Sequence, residues 1–143
     1  MILVDTCVIS EMQRPTPSLA VLRWLRAVPD KDLRLSVLTL GELRKGAELL
    51  DPGARRTALE RWLDGLVERF SDRILPIDKE IAMRWAVITA SGRRAGRARP
   101  MIDTLLAATA VRHGLILATR NVADFEGTGA QILNPWDHEP PVR

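Results

Sequence analysis

The chain opens with MILVD, residues 1–5, in which four apolar side chains lead to the carboxylate of Asp5. A short apolar run of this kind, followed by a turn, is typical of a strand buried on both faces of a sheet. Such strands occur in parallel sheets that helices cover on both sides. The opening therefore predicts an α/β fold in which Asp5 stands at the carboxyl end of the first strand.

The rest of the chain alternates similar short apolar runs with amphipathic segments. Further strands are predicted at residues 33–37, 74–77, 114–119 and 131–133. Helices are predicted at residues 18–27, 40–50, 54–70, 78–91 and 101–113. Thr16 and Pro17 are expected to supply the cap and the first position of the helix at 18–27. Strands alternating with helices predict three layers, with a central, mostly parallel sheet flanked by helices.

Size and composition place the chain among ordinary water-soluble domains. Its 143 residues suit a single domain over residues 1–143, in which 137–143 is expected to be a loose tail. The single cysteine, Cys7, excludes an internal disulfide framework, and we expect it to be a buried small apolar residue. No apolar run is long enough for a membrane span, and the start lacks the basic segment of a secretory signal, so we expect a cytoplasmic protein.

The basic residues are mostly arginine, and they give the chain a net charge of +3. The stretch RRAGRARP, residues 93–100, concentrates four of them: Arg93, Arg94, Arg97 and Arg99. Its glycine and proline predict an exposed loop, and arginines there suit contacts with a polyanion. A solvated loop without a ligand, in a chain whose genome favours arginine over lysine, is the alternative.

Four acids stand at comparable places along the chain, and each has a possible structural role. Asp5 can cap the turn after the first strand. Glu42 lies three residues after Thr39, the spacing of a capping box. Asp103 falls in the first turn of a helix, where the helix dipole favours a carboxylate, and Asp124 can close an Asx turn.

These structural roles place the acids close together. Helices that follow parallel strands all begin at the carboxyl edge of the sheet, so Asp5, Glu42 and Asp124 are expected to be neighbours there. Asp103 follows the arginine-rich loop, and its place is less constrained. Carboxylates gathered at one edge repel one another unless cations lie between them. The pattern therefore predicts a site for a hard divalent ion such as Mg²⁺ or Mn²⁺, whereas His113 and His138 lack the spacing of zinc ligands.

Three segments decide what kind of protein this pattern belongs to. MILVDTCVISEM (1–12), SVLTLGELRKGAELL (36–50) and PMIDTLLAATAVRHGLILATRNVADFEGTGAQILNPW (100–136) resemble, in this order, PIN-domain ribonucleases of the VapC type, in their FitB-like branch. The resemblance runs from residue 1 to about residue 136. Two departures are Cys7, where serine or asparagine is common, and the arginine-rich loop before Pro100. Neither is expected to touch the acids.

The resemblance implies a fold, a site and a function. The acidic quartet of the family corresponds to Asp5, Glu42, Asp103 and Asp124, and its supporting polar positions correspond to Thr6, Thr119 and Asn121. It implies one or two magnesium or manganese ions and an endoribonuclease toxin of a type II toxin–antitoxin module. The implied partners are RNA, a second copy of the chain and a small antitoxin protein, with DNA reached only through the antitoxin. Arg93, Arg94, Arg97 and Arg99 are candidates for guiding the RNA backbone.

Two other functions remain open at this point. One is a catalytically inactive PIN-fold binding module that acts through an antitoxin–DNA complex. The other is a phosphotransfer or phosphatase domain, which also carries acids at strand ends, although only three lysines are available to it. The tryptophans Trp24, Trp62, Trp85 and Trp136 offer platforms for stacking bases, but their place among apolar helix residues favours packing instead.

Overall fold

A computed structural model describes residues 1–138, and five strands in this range form one sheet. The strands lie in the order β3-β2-β1-β4-β5, and every neighbouring pair is parallel. They are β1 (Ile2–Val4), β2 (Leu33–Ser36), β3 (Ile74–Leu75), β4 (Ile116–Ala118) and β5 (Gln131–Leu133). The α/β prediction is confirmed, and the described sheet is parallel throughout.

The strand that opens the chain is the centre of this sheet. Ile2 is in register with Leu33 of β2 on one side and with Ile116 of β4 on the other. Successive side chains of β1 point to opposite faces, so Leu3 and Val4 enter two different cores, and both are fully buried. Burial on both faces explains why Leu3 and Val4 are both apolar.

Four helices cover the face that Val4 enters. They are α1 (Thr6–Ser10), α2 (Leu19–Ala27), α3 (Val37–Glu48) and α4 (Ala54–Phe70). Each contributes buried apolar side chains, among them Val8, Trp24, Leu43 and Phe70. Trp24 is 2% exposed, so the packing role expected for it is confirmed.

Two helices cover the opposite face. These are α5 (Lys79–Arg94) and α6 (Met101–His113), which pack against each other and against Leu3 and Leu117. The buried alanines Ala107, Ala108 and Ala110 let α6 lie close to the sheet. Gly114 ends α6 in the left-handed conformation, with φ 64°, which glycine adopts without strain.

Several predicted boundaries are wrong, each for a local reason. The cap of α2 is Ser18, whose hydroxyl accepts from the Val21 N–H, rather than Thr16. α1 was not predicted, although Asp5 followed directly by Thr6 fits the cap and start of a short helix. β3 has only two residues, and α5 runs three residues beyond Ser91. These errors fall at element ends, where local signals overlap.

The end of the chain is described only in part. Asp137 lies in a turn in which its N–H donates to the Asn134 carbonyl at 3.1 Å, so this residue is held in place. The remainder of the predicted tail, residues 139–143, lies outside the described range. Among the described helices, none combines the length and the apolar character that crossing a membrane requires.

Candidate active site

Asp5 joins the central strand to the candidate site. It follows β1, caps α1, and its N–H donates to the Ala118 carbonyl of β4 at 2.9 Å. This bond extends the sheet by one residue beyond β1. The Asp5 carboxylate is therefore held at the carboxyl edge of the sheet, where the sequence predicted it.

The carboxylate of Asp5 is buried and well supplied with donors. Its Oδ1 accepts from the Thr6 N–H at 2.7 Å, and its Oδ2 accepts from the Thr119 hydroxyl at 2.8 Å. Both side chains, Asp5 at 6% and Thr119 at 0%, are shielded from solvent. Hydrogen bonds to the charged form offset the cost of burying it and fix its orientation.

Cys7 was expected to be a buried apolar residue that does not touch the acids, and this is wrong. Its thiol is half-buried and lies 3.5 Å from Asp5 Oδ2, in donor geometry, and 3.7 Å from the Thr119 hydroxyl. Burial, followed by the charge of Asp5, raises the pKa of the Cys7 thiol to about 11. The thiol therefore stays protonated at neutral pH and can serve as a weak donor to Asp5.

Glu42 faces the same edge from the second turn of α3. Its Oε1 accepts from the Thr6 hydroxyl at 2.7 Å, so one residue links Glu42 to Asp5. The capping-box interpretation is wrong, because α3 begins earlier and Ser36 caps it through the Leu38 N–H at 3.1 Å. Thr39 is fully buried inside α3, and its hydroxyl has no hydrogen-bond partner among residues 1–138.

The pKa of Asp103 reflects its burial and the charges of the other acids. It lies half-buried in the first turn of α6. Burial, together with the charges of Asp5, Asp124 and Glu42, raises the pKa of the Asp103 carboxyl to about 6. Three acids can act on Asp103 in this way only if they lie near it. The structure therefore places Asp5, Asp124 and Glu42 near enough to Asp103 for their charges to act on its carboxyl.

Asp124 is the exposed member of the quartet. It lies in a 3-10 turn, Val122–Phe125, and its N–H donates to the Asn121 carbonyl at 3.1 Å. The backbone N–H of Asn121 in turn donates to the Thr119 hydroxyl at 3.1 Å. Thr119 therefore connects the segment that carries Asp124 to the carboxylate of Asp5.

Part of the arginine-rich segment, which was predicted to be an exposed loop, is helical. Arg93 and Arg94 belong to the last turn of α5, where they are exposed and favourably placed toward the helix dipole. Arg97 and Arg99 are only half-exposed. Their side chains point back to the 3-10 turn of Asp124 instead of into solvent.

Arg97 and Arg99 bind the main chain on either side of Asp124. Arg99 Nε donates to the Asp124 carbonyl at 3.1 Å, its Nη2 donates to the Glu126 carbonyl, and Arg97 donates to the Ala123 carbonyl. Gly92 makes room for this arrangement, which we call the arginine clamp. A Cβ on Gly92 would lie 2.8 Å from the Arg97 carbonyl oxygen and 2.8 Å from Arg99 Nη1.

The donors at this site suit a hard divalent cation. They are carboxylate oxygens, which Mg²⁺ and Mn²⁺ prefer, while the one thiol stays protonated. Within residues 1–138, no three His, Cys, Asp or Glu side chains stand close enough together to ligate one ion as they are placed. The raised pKa of Asp103 shows that the charges of the other three acids act on its carboxyl. A divalent ion bound among them would draw the acids closer together than they stand.

Known proteins of similar sequence identify the family of this chain. The PIN-domain family matches residues 2–129. The "VapC ribonuclease Y4jK" of Sinorhizobium fredii is 38% identical over 96% of this chain and 99% of that protein. The "Toxin FitB" of Neisseria gonorrhoeae is 39% identical over 95% of this chain and 99% of that one.

A solved structure extends the likeness to three dimensions. The structure described as "FitAB bound to IR36 DNA fragment" superposes with a TM-score of 0.92 at 35% identity, covering 99% of this chain and 100% of that one. The likeness in sequence and in structure therefore spans nearly the whole of both chains. The chain belongs to the PIN-domain family, in the branch of the VapC-type toxins.

Proposed function

We propose that this chain is a Mg²⁺- or Mn²⁺-dependent endoribonuclease, the toxin of a type II toxin–antitoxin module. The observation that carries the proposal is the pair Asp5 and Glu42, which Thr6 links by two hydrogen bonds of 2.7 Å, with Asp103 near enough to feel their charges. Four carboxylates that repel one another at one sheet edge destabilise the fold, and a cation bound between them would remove this repulsion. Relatives named as ribonuclease and toxin support the same function.

Asp5, Glu42, Asp103 and Asp124 would hold the metal. A bound divalent ion supplies the chemistry of activating water and of neutralising charge on the phosphate. The chain's own contribution is to orient the acids before metal arrives: Thr119, Thr6 and Cys7 fix Asp5, and Thr6 fixes Glu42. Asn121 supports the turn of Asp124 through its main chain.

The four arginines are proposed to act toward RNA in two ways. Arg93 and Arg94 are exposed at the end of α5 and are free to meet phosphates of the RNA backbone. Arg97 and Arg99 engage main-chain carbonyls beside Asp124, and they add positive charge close to the acids. Such charge attracts a polyanion to a site whose own acids repel it.

We also propose the partners. One relative is named "Toxin FitB" and one similar structure is described as "FitAB bound to IR36 DNA fragment", which supports a small antitoxin as partner of this chain and DNA contact through that antitoxin. We further propose that the chain forms a homodimer. It would act in the cytoplasm, where its RNA substrate lies. Size-exclusion chromatography with light scattering, with and without the antitoxin, measures both assemblies.

Cleavage of total RNA by the purified chain tests the activity. Cleavage into discrete fragments is expected with magnesium or manganese and is expected to stop with EDTA or with Asp5→Asn. Asp64→Asn, at an exposed position of α4, is the matched control and should cut like the native chain. No cleavage by folded, antitoxin-free chain with metal would count against the nuclease and favour the binding module.

A further inference from the structure

A small pocket lies between the last turns of α5 and the first turn of α6. Its volume is about 50 Å³. One water molecule needs about 10–15 Å³ of such space, so the pocket admits a compact group of a few atoms and no nucleobase. We call it the arginine pocket, and its lining residues are Thr89, Arg93, Arg97, Ala98, Arg99 and Thr104.

The lining of the arginine pocket is positively charged. It contains three guanidinium groups, and no acidic side chain of residues 1–138 lines it. Within that range, only Arg97 of the three forms an ion pair, at 3.8 Å from Glu126, whose own side chain is 69% exposed. Positive charge that the chain's carboxylates leave largely unpaired favours the binding of an anion.

The arginine clamp does not use every donor of its guanidinium groups. Arg99 donates through Nε and Nη2 to the Asp124 and Glu126 carbonyls, while its Nη1 makes no hydrogen bond to residues 1–138. Arg93 is exposed at the end of α5, and no carboxylate in this range pairs with it. Both arginines therefore have N–H groups left to donate to an anion in the pocket.

One hydroxyl of the lining lacks a partner. Thr89 Oγ1 is buried, and it makes no hydrogen bond within residues 1–138. The Thr104 hydroxyl is already engaged, because it donates to the Met101 carbonyl at 2.9 Å and accepts from the Trp85 indole N–H at 3.0 Å. A buried hydroxyl without a hydrogen bond costs free energy, and an acceptor in the pocket would offset that cost.

We propose that the arginine pocket binds one doubly charged phosphate group, either the terminal phosphate of an RNA strand or free inorganic phosphate. Arg93 and Arg99 would donate to its oxygens, and Thr89 would donate from within the pocket. A phosphate inside an RNA strand carries one charge and continues into a nucleoside on both sides, so a pocket of this size excludes it.

The position of the pocket suits the end of an RNA strand. Arg99 also donates to the Asp124 carbonyl at 3.1 Å, so a terminal phosphate in the pocket would hold the strand beside the acids. The RNA end as the source of the phosphate rests on the proposed function. Binding of free phosphate does not depend on it.

Inorganic phosphate is the first probe. It is titrated into the native chain by calorimetry, in EDTA, at constant ionic strength and at about pH 8, where phosphate is doubly charged. Saturable binding at one site is expected, and Thr89→Val should weaken it about fivefold, the loss of one neutral hydrogen bond. Thr39→Val is the matched control, because Thr39 also has a buried hydroxyl without a partner among residues 1–138 and lies outside the pocket. Without phosphate, both variants should be at least as stable to urea as the native chain.

A pair of neighbouring arginines tests the charge. Arg93→Gln should weaken phosphate binding about tenfold, the loss of one charge-assisted hydrogen bond. Arg94→Gln should leave phosphate binding unchanged, because Arg94 is equally exposed in the same turn of α5 but does not line the pocket. The pair removes the same charge, so a difference between the two variants reports the pocket alone.

Short single-stranded RNAs of one sequence distinguish the two sources of phosphate. They carry a 5′-phosphate, a 3′-phosphate or only hydroxyl ends, and their Kd is measured with the Asp5→Asn chain. Tighter binding of a phosphorylated end that is lost in Thr89→Val identifies the RNA end as ligand. Equal Kd values for all strands, with phosphate still bound, identify free phosphate.

Absence of saturable phosphate binding by the folded native chain would overturn the proposal. Equal losses in Thr89→Val and Thr39→Val, or in Arg93→Gln and Arg94→Gln, would also overturn it, since phosphate would then bind elsewhere. None of these results depends on cleavage. A native chain that fails to cut RNA counts against the nuclease, whereas the pocket is judged by phosphate binding in EDTA.

Discussion

At the scale of single residues, the Thr119 hydroxyl connects two parts of the candidate site. Its hydroxyl donates to Asp5 Oδ2 at 2.8 Å and accepts from the Asn121 N–H at 3.1 Å. It is fully buried, so water cannot replace it if it is lost. The residue therefore couples the orientation of Asp5 to the turn that carries Asp124.

Thr119→Val should lower both stability and cleavage. Valine matches the shape of threonine but leaves a buried carboxylate oxygen short of its donor, which costs about 1–2 kcal/mol in the free energy of unfolding. Urea denaturation and initial cleavage rates measure the two effects. Thr109→Val is the control: Thr109 is equally buried, but its hydroxyl donates only to a carbonyl of its own helix, Leu105, at 2.8 Å. Equal losses in both variants would contradict the role given to Thr119.

The raised pKa of Asp103 predicts how stability depends on pH without metal. The folded pKa of about 6 exceeds the ordinary value of 3.8, so the folded state holds this proton more tightly than the unfolded state does. The stabilisation is therefore present below pH 3.8 and is lost as pH rises through about 6. The dipole of α6 attracts the charged carboxylate of Asp103 and by itself would lower its pKa. The pKa is raised, so burial and repulsion outweigh the dipole.

Asp103→Asn should remove this penalty. In EDTA near neutral pH the variant should be more stable than the native chain by on the order of 1 kcal/mol, a figure reduced for partial exposure to solvent. The difference should vanish in acid, because the native carboxyl is then protonated in both states. Urea unfolding across the pH range measures it. A constant difference at every pH would contradict the repulsion.

At the scale of elements, the arginine clamp joins the α5–α6 connection to the 3-10 turn of Asp124. Gly92 is buried in α5, and a side chain at this position would collide with the Arg97 carbonyl and with the Arg99 guanidinium. Arginines that resemble a substrate-binding patch in the sequence thus also hold an acid of the site in place. The position of Asp124 depends on two segments that are distant in sequence.

Gly92→Ala should destabilise the chain and slow cleavage, although the same change usually stabilises a helix. The new Cβ meets backbone at 2.8 Å and displaces the clamp, so Asp124 shifts. Gly65→Ala, in open space in α4, should instead add roughly 0.5–1 kcal/mol of stability and leave cleavage unchanged. Thermal unfolding and cleavage rates distinguish the two. Matching behaviour of the two variants would argue against the clamp.

At the scale of the whole molecule, one edge of the sheet gathers acids from four parts of the chain. The order β3-β2-β1-β4-β5 puts the strand that ends at Asp5 in the middle, with α3 following one neighbour and the turn of Asp124 following the other. α6 brings Asp103 to the same edge. The fold therefore holds electrostatic repulsion that the proposed cation would relieve.

Magnesium should raise the melting temperature of the native chain. At about ten times its Kd an ion that binds only the folded state adds about 1.4 kcal/mol, which is several degrees for a domain of this size. Differential scanning fluorimetry with magnesium and with EDTA measures the shift. Asp5→Asn should reduce it, and Asp64→Asn should not. No shift in the native chain at millimolar metal would count against a preformed site.

The sequence by itself determined the fold class, most of the elements and the four acids. Helix and strand periods, the cap at Asp78 and the stop at Gly114 are local signals, because they act between residues a few positions apart. The motifs around the acids are equally local. Boundaries such as the start of α3 were wrong where two polar residues, Ser36 and Thr39, compete to cap one helix.

Only the tertiary structure decided how these residues act on one another. The contact of Cys7 with Thr119, the bond from Thr6 to Glu42, and the bonds of the arginine clamp to the turn of Asp124 all join residues far apart in the chain. Burial and charge at Asp103 depend on three other elements in the same way. Periodicity and capping carry no information on such contacts, because packing of the whole sheet brings the partners together.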